Sequence, residues 1–270
     1  MVPFLPKDQT SEETIKIRMD NVRANCQLDL PWFEPSDVRR RVVAACPGPS
    51  LKDNQGKMRK MIKGAELWAV NGAYGWLLDR GLIPDVMVLC DAKPNMLEFI
   101  KKTHDKTVFY IASQCHPDVF KALEGKKVYL WHAYLDGIED YLKDEQERPC
   151  SVIHGGGTVG LKAMYLAYLR GSRQIDYYGL DGSIANGDLH VNGAEYIPDR
   201  EQCYSRTYDV VCAGREFKIA EGYASQAPNF VSQIELIPDC KVRAHGDGLI
   251  PHISKILQAQ LRQPTGVSHG

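Results

Sequence analysis

Five short apolar runs organise the first half of the chain, each closed by a polar or glycine residue and followed by a stretch of helical character. They cover residues 42–45, 67–70, 86–90, 108–112 and 128–131, with helices predicted over 55–63, up to 80, near 95–102 and after Pro117. The runs are continuous, not alternating. A strand with one face in water alternates polar with apolar residues, whereas a strand covered on both faces stays apolar throughout. This rhythm therefore predicts an α/β, Rossmann-like fold: a mostly parallel sheet with helices on both faces. A helix over 158–170, with Leu161, Tyr165 and Tyr168 on one stripe, and a strand over 175–178 extend the pattern.

In an open parallel sheet the ligand sits beyond the carboxyl ends of the strands. That rule singles out Gly48, Pro49 and Ser50 after the first run, Asn71 and Gly72 after the second, and Asp91 after the third. Ser113 and Gln114 follow the fourth run, and Asp181 follows the strand at 175–178. Two of these ends are glycine turns, Cys46-Pro47-Gly48-Pro49-Ser50 and His154-Gly155-Gly156-Gly157-Thr158. Backbone free of side chains lets amide N–H groups approach a phosphate at a helix start, so a phosphorylated ligand, a nucleotide, is expected. Eight basic residues against one acid over 39–63 bracket the first turn, as an anionic ligand requires. A solvated helix face explains the lysines equally well. The first turn lacks GxGxxG spacing, and no Gly-Lys-Ser/Thr follows it, which disfavours NAD and an ordinary ATPase.

Length and composition allow a full core: 270 residues, 44% hydrophobic, net charge −1. The expected organisation is an N-terminal helical appendage (1–38), a nucleotide-binding core (39–190), acceptor-side and closing elements of the same domain (191–262) and a frayed tail (263–270). Ser11, with Glu12 and Glu13 behind it, is a helix cap. The eight cysteines show no CxxC pair, so they read as reduced thiols and not as a metal framework. The start of the chain lacks a signal peptide, and no apolar run approaches the roughly 18 residues that span a bilayer. A cytoplasmic protein without membrane contact is expected.

The segment Cys46-Pro47-Gly48-Pro49-Ser50-Leu51-Lys52 resembles the first nucleotide-binding turn of bacterial sialyltransferases that use CMP-sialic acid. Gly156-Gly157-Thr158-Val159-Gly160, continuing to Tyr178-Gly179-Leu180-Asp181, resembles their second block. Both are similar to a wider family holding flagellin glycosyltransferases and the archaeal 6-hydroxymethyl-dihydropterin diphosphokinase. The pattern Val70-Asn71-Gly72, Ile83-Pro84-Asp85 and Asp91 is closer to that wider family. The likeness runs from about Val42 to His190, and departs where Pro47 replaces an asparagine of the first turn.

The resemblance implies that Gly48, Pro49 and Ser50 face the donor phosphate or its sugar, and that Asn71 contacts ribose or phosphate. It also implies that Gly156, Gly157 and Thr158 close over the nucleotide beside Asp181. In the sialyltransferases a histidine after the Gly-x-Asp block deprotonates the acceptor hydroxyl. His190, nine residues after Asp181, falls in a comparable place and suits that task chemically. A loop histidine satisfying local backbone is the structural alternative. His154 and His245 are weaker candidates, as are Tyr204, Arg206 and Tyr208 for an acceptor cleft. Asp91 and Asp181 could hold Mg²⁺ through a nucleotide's phosphates, although no Asp-x-Asp appears.

Three functions fit: a glycosyltransferase with a nucleotide-activated sugar as donor, an ATP- and Mg²⁺-dependent diphosphokinase of a pterin-like alcohol, and a non-catalytic nucleotide-binding module. The first is favoured, with His190 and Asp181 as catalytic residues and no protein-bound metal. Its acceptor stays open among a glycan, a protein, a small molecule and a hydroxylated base in DNA, as does the oligomeric state.

Overall fold

The computed structural model describes residues 11–144, 151–191 and 206–260. The expected tail 263–270 and Tyr204 lie outside the described residues. The five apolar runs become strands β1 (Arg40–Ala45), β2 (Glu66–Val70), β3 (Val86–Leu89), β4 (Val108–Ala112) and β5 (Lys127–Ala133). Next come β6 (Val152–Ile153), β7 (Ser172–Tyr178), an antiparallel hairpin of β8 (Thr207–Cys212) and β9 (Arg215–Ala220), and β10 (Lys241–His245). Apart from the hairpin, the strands form one sheet in the order β10-β7-β1-β2-β3-β4-β5-β6, and every pairing in it is parallel.

The chain thus walks outward from β1 to β6 and then returns across the sheet to place β7 on the other flank of β1. The strand order reverses between β1 and β7, which is where an open parallel sheet forms its binding crevice. Helices supply the crossovers: α2 (Leu51–Met61) packs on β1 and β7, and α3 (Ala73–Leu78) on β2. After α4 (Pro117–Ala122) and α5 (Ile138–Asp144), α6 (Val159–Leu169) crosses back over β2, β3 and β7. A 3-10 helix, Pro94–Ile100, stands where an α-helix was expected. Two helices, Gln226–Leu236 and Leu249–Gln260, close the C-terminal side. No helix among the described residues is long and apolar enough to cross a membrane.

The segment expected as an appendage is built into the domain. Helix α1 (Glu12–Asn25) is capped by Ser11, whose hydroxyl accepts from Thr14 N, and it buries Met19 and Val22 while packing on α4. Its polar stripe lies across the carboxyl ends of β3 and β4. Asn21 donates to the Gln114 carbonyl (3.0 Å), and Asn25 to the carbonyls of Ser113 (2.8 Å) and Cys115 (2.7 Å). Asn21 and Asn25 satisfy carbonyls that the sheet itself cannot reach, and this fixes how the helix crosses the edge.

Burial also sets an acid limit on the fold. His132 on β5 is 2% exposed, its Nδ1 lies 3.0 Å from Ser113 Oγ, and burial pushes its pKa down to about 4. The unfolded chain therefore takes up the proton first. Stability is full above the unfolded value near 6.5 and falls as pH drops towards 4, where the loss reaches about 3 kcal/mol. His132→Gln is expected to flatten that part of the stability–pH curve. Urea unfolding at about pH 7, 5.5 and 4.5 checks this; a wild-type/variant difference that does not change with pH would overturn it.

Candidate functional site

The turn after β1 and the turn after β7 are locked together. Cys46 N donates to the Tyr178 carbonyl and Gly48 N to the Gly179 carbonyl, both at 2.8 Å. A Cβ on Gly48 would overlap Gly179 O and Asp181 Oδ2, and one on Gly179 would overlap the Cys46 carbonyl. Glycine is required here because two backbones meet, and no ligand is needed to explain it. Asp181, 4% exposed, accepts from Ser50 N (2.8 Å) and from the Ser50 hydroxyl (2.5 Å), while Leu51 N bonds the Gly48 carbonyl (3.1 Å). Of the residues expected to face a phosphate, Gly48 and Ser50 have their amides engaged within the protein, as is the neighbouring Leu51 amide. Asp181 itself provides the anion at the start of α2. Burial raises its carboxyl pKa, the two Ser50 bonds oppose that, and Asp247 and Asp53 push the same way as burial.

Above this staple opens a cleft of about 340 Å³. Pro49, Ser50, Lys52 and Asp53 form one wall, the loop from Ser183 to Val191 a second, and Arg215 to Lys218 of β9 a third. Asp247 and Gly248 complete it. Ile184 N donates to the Lys218 carbonyl (2.7 Å), and Arg215 holds both the side chain (2.8 Å) and the carbonyl (2.9 Å) of Asp247. The hairpin is thereby tied to both neighbouring loops.

His190 borders this cleft, held in place by the Val191 N–H bond to the Pro47 carbonyl (2.7 Å). The imidazole is half-buried, meets the Tyr223 ring edge-on at 6.3 Å, and keeps its Nδ1 buried without a hydrogen-bond partner. Burial pushes its pKa down to about 4, so the ring is neutral at pH 7. A neutral imidazole carries one nitrogen lone pair that can accept a proton.

The lining carries Asp53, Asp181, Asp188, Glu216 and Asp247 against Lys52, Arg215 and Lys218. Of the basic stretch 39–63 only Lys52 reaches it. Arg40 pairs with Glu66, Arg41 with the buried Asp176 (3.6 Å), and Arg59 bonds the Arg80 carbonyl (2.6 Å). Among the described residues no group of three or more His, Cys, Asp or Glu side chains is arranged to hold a metal ion. Asp53 and Asp247 share the cleft lining with Asp181, whereas Asp91, the other carboxylate expected to hold Mg²⁺, is not in that lining.

The expected site is accordingly divided along the sheet edge. Pro49, Ser50, Asp181 and His190 border the cleft, with Gly48 packed beneath. Asn71, Gly72, Asp91, Gly156, Gly157 and Thr158 are not in its lining. Asn71 ends β2 in left-handed backbone (φ 48°), its Oδ1 buried without a partner, and Gly72 caps α3. Gly155 and Gly156 turn the chain through φ 68° and 66°. With the Gln233 amide oriented to match its neighbours, Gln233 accepts from Gly156 N (3.1 Å). Thr158 caps α6 through a bond from Leu161 N. Gly157 is exposed beside Asn229 and Ser225.

His154 stacks on Tyr134 and pairs with Glu139 away from the cleft. His245 ends β10, bonds the buried Asp176 (2.9 Å) and stacks on Tyr178, while Asp247 just beyond it reaches the cleft. Tyr208 lies on β8 and donates to Glu221, and Arg206 pairs with the same carboxylate, so neither lines the cleft. Sequence reasoning missed Arg215 and Lys218. Their hairpin turns at Ala213-Gly214, both at positive φ, and alanine is a poor signal for such a turn.

A parallel sheet whose strand order reverses beside a cleft defines a Rossmann-like α/β protein. The chain matches the family model "6-hydroxymethylpterin diphosphokinase MptE-like" over residues 19–187, and belongs to that family. Among solved structures it is similar to the MAf glycosyltransferase from Magnetospirillum magneticum AMB-1, with a TM-score of 0.65, 12% identity and 87% of this chain covered. The chain spans 37% of that protein's length. A mammalian sialyltransferase in complex with Gal-beta-1-3GalNAc-ortho-nitrophenol aligns over 91% of this chain and 90% of its own, with 14% identity and a TM-score of 0.44. No curated protein matches the chain.

Proposed function

We infer that the protein is a nucleotide-dependent transferase, and specifically a glycosyltransferase moving a sugar from a nucleotide-activated donor to an acceptor hydroxyl. The observation that carries this reading is His190: neutral, anchored against the β1 turn, and facing a cleft at the strand-order switch. The acceptor hydroxyl gives its proton to the imidazole as its oxygen bonds the anomeric carbon. The bond from that carbon to the donor phosphate breaks, and the nucleotide leaves with the electron pair. The glycosyltransferase among the structural neighbours supports the reading through its fold. Asp181 serves as the staple under the cleft and not as a second base, since both its oxygens are engaged by Ser50.

A cleft with more carboxylates than cations suits a neutral, hydroxyl-rich acceptor better than a polyanion such as DNA. The family's name favours a second reading, ATP-dependent diphosphoryl transfer to a pterin-like alcohol. That chemistry needs Mg²⁺ to neutralise the transferred group, and Asp91, one of the two carboxylates expected to hold it, is not in the lining that contains Asp181. A thermal-shift screen separates the two. A rise in melting temperature with cytidine or uridine nucleotide sugars without metal is the expected result. Stabilisation by ATP with Mg²⁺ alone would overturn glycosyl transfer in favour of the diphosphokinase.

A further inference from the structure

We propose that Tyr223 is a positioning residue for His190: its ring shields the imidazole from water and holds it edge-on at the border of the cleft. The inference rests on the transferase reading above and names what keeps its base oriented and neutral.

Tyr223 ends a single 3-10 turn, Glu221–Tyr223, that follows β9 directly. Glu221 anchors that turn. Its amide donates to the Arg206 carbonyl (3.0 Å), its carboxylate accepts from the Tyr208 hydroxyl (3.1 Å), and the Arg206 guanidinium lies 3.6 Å from the same carboxylate. Tyr208 belongs to β8 and Arg206 immediately precedes it, so the hairpin that walls the cleft also fixes the turn. On the far side the Ala224 amide returns to the Glu221 carbonyl (3.0 Å). The chain then enters the helix Gln226–Leu236, whose Phe230 is buried in the core. A turn tied to a hairpin and a helix gives its last residue a fixed place. Tyr208 and Arg206 thereby act on the site although neither lines the cleft.

The Tyr223 and His190 rings meet with centroids 6.3 Å apart and planes at 69°. Edge-to-face packing of this kind sets the positive rim of one ring against the negative face of the other. The Val191–Pro47 bond fixes the backbone beside His190, not the rotation of its ring. Nδ1 has no hydrogen-bond partner to set that rotation, which leaves it to ring packing. Four charged groups border the same cleft from α2 and the loop after β7: Lys52, Asp53, Asp181 and Asp188. Arg215, Glu216 and Lys218 of β9, with Asp247 beyond β10, face it from the other side. Burial, and none of these charges, is what pushes the His190 pKa down to about 4. A proton affinity set by exclusion of water responds to loss of the group that excludes it.

Proton NMR of the His190 imidazole, assigned with His190→Gln, reads the inference without any substrate. Tyr223→Ala should move the His190 pKa up from about 4 towards the ordinary value near 6.5, and Tyr223→Phe, which keeps the ring, should leave it in place. Activity is measured with whichever cytidine or uridine nucleotide sugar raises the melting temperature. At about pH 7.5, Tyr223→Ala should lower kcat about 10-fold with donor KM within about twofold, because orientation counts in the transition state. Its kcat/KM should fall a further ~4- to 10-fold by about pH 5.5, where the wild type holds steady. Tyr223→Phe should restore both. Glu221→Ala, which releases the turn, carries the test if Tyr223→Ala does not fold. Removing a carboxylate lowers a histidine's pKa by charge alone, so an upward shift there reports entry of water. A His190 pKa unmoved in a folded Tyr223→Ala overturns the inference and leaves the transferase standing, as does a Tyr223→Phe that behaves like Tyr223→Ala. The expected pKa shift in a protein that transfers no sugar keeps Tyr223 as the shield of His190 and overturns the transferase reading.

Discussion

His190→Ala is expected to lower turnover about 10²–10⁴-fold while changing donor affinity little, because a general base acts in the transition state and not in donor binding. The ring borders the cleft with its Nδ1 unbonded, so its removal breaks no hydrogen bond at that atom and leaves the Val191–Pro47 bond intact. The pH profile makes the prediction sharper. From the sequence alone, an unperturbed histidine places the acid limb of kcat/KM near pH 6.5. Burial pushes the His190 pKa down to about 4, so the proton that blocks the base binds only there and activity should persist through pH 5.5. Loss of activity must be separated from acid unfolding, since His132 also titrates near 4. Circular dichroism at each pH provides that control. Turnover in the variant within about threefold of wild type would remove His190 from the mechanism.

The second large effect concerns the staple. Asp181→Ala should destabilise the fold by about 2–4 kcal/mol, because the buried Ser50 amide and hydroxyl lose their acceptor together. Gly48→Ala should cost a similar amount for a different reason: the new methyl overlaps the Gly179 carbonyl, and backbone held by two parallel strands cannot swing aside. Asp181→Asn keeps one acceptor oxygen and is expected to be milder. Denaturant titration reads all three. If Asp181→Asn abolishes turnover with an unchanged unfolding midpoint, Asp181 takes part in the chemistry and the staple is not its main role.

Much of the architecture is legible in the amino-acid sequence because it is local. Runs such as Val86–Leu89 stay apolar along their length, and that alone requires cover on both faces and parallel neighbours. The residues just past each strand, among them Ser50, Asn71, Asp91 and Asp181, follow from the same rhythm. The capping of α1 by Ser11 and of α6 by Thr158 depends only on neighbours along the chain. The family resemblance rests on the same turns.

Only the tertiary structure decided what those residues do. Nothing local reveals that Asp181 lies on Ser50, 131 positions away, and takes up the hydrogen-bond donors a phosphate would need. The two turns meet because β7 returns beside β1, a pairing fixed by the long crossover and not by either segment. Helix α1 reads as an appendage since its buried stripe is short, yet Asn21 and Asn25 find their partners at the ends of β3 and β4. The His190 pKa belongs here too. A side chain's proton affinity is set by how much water surrounds it, and that depends on which distant elements close over it.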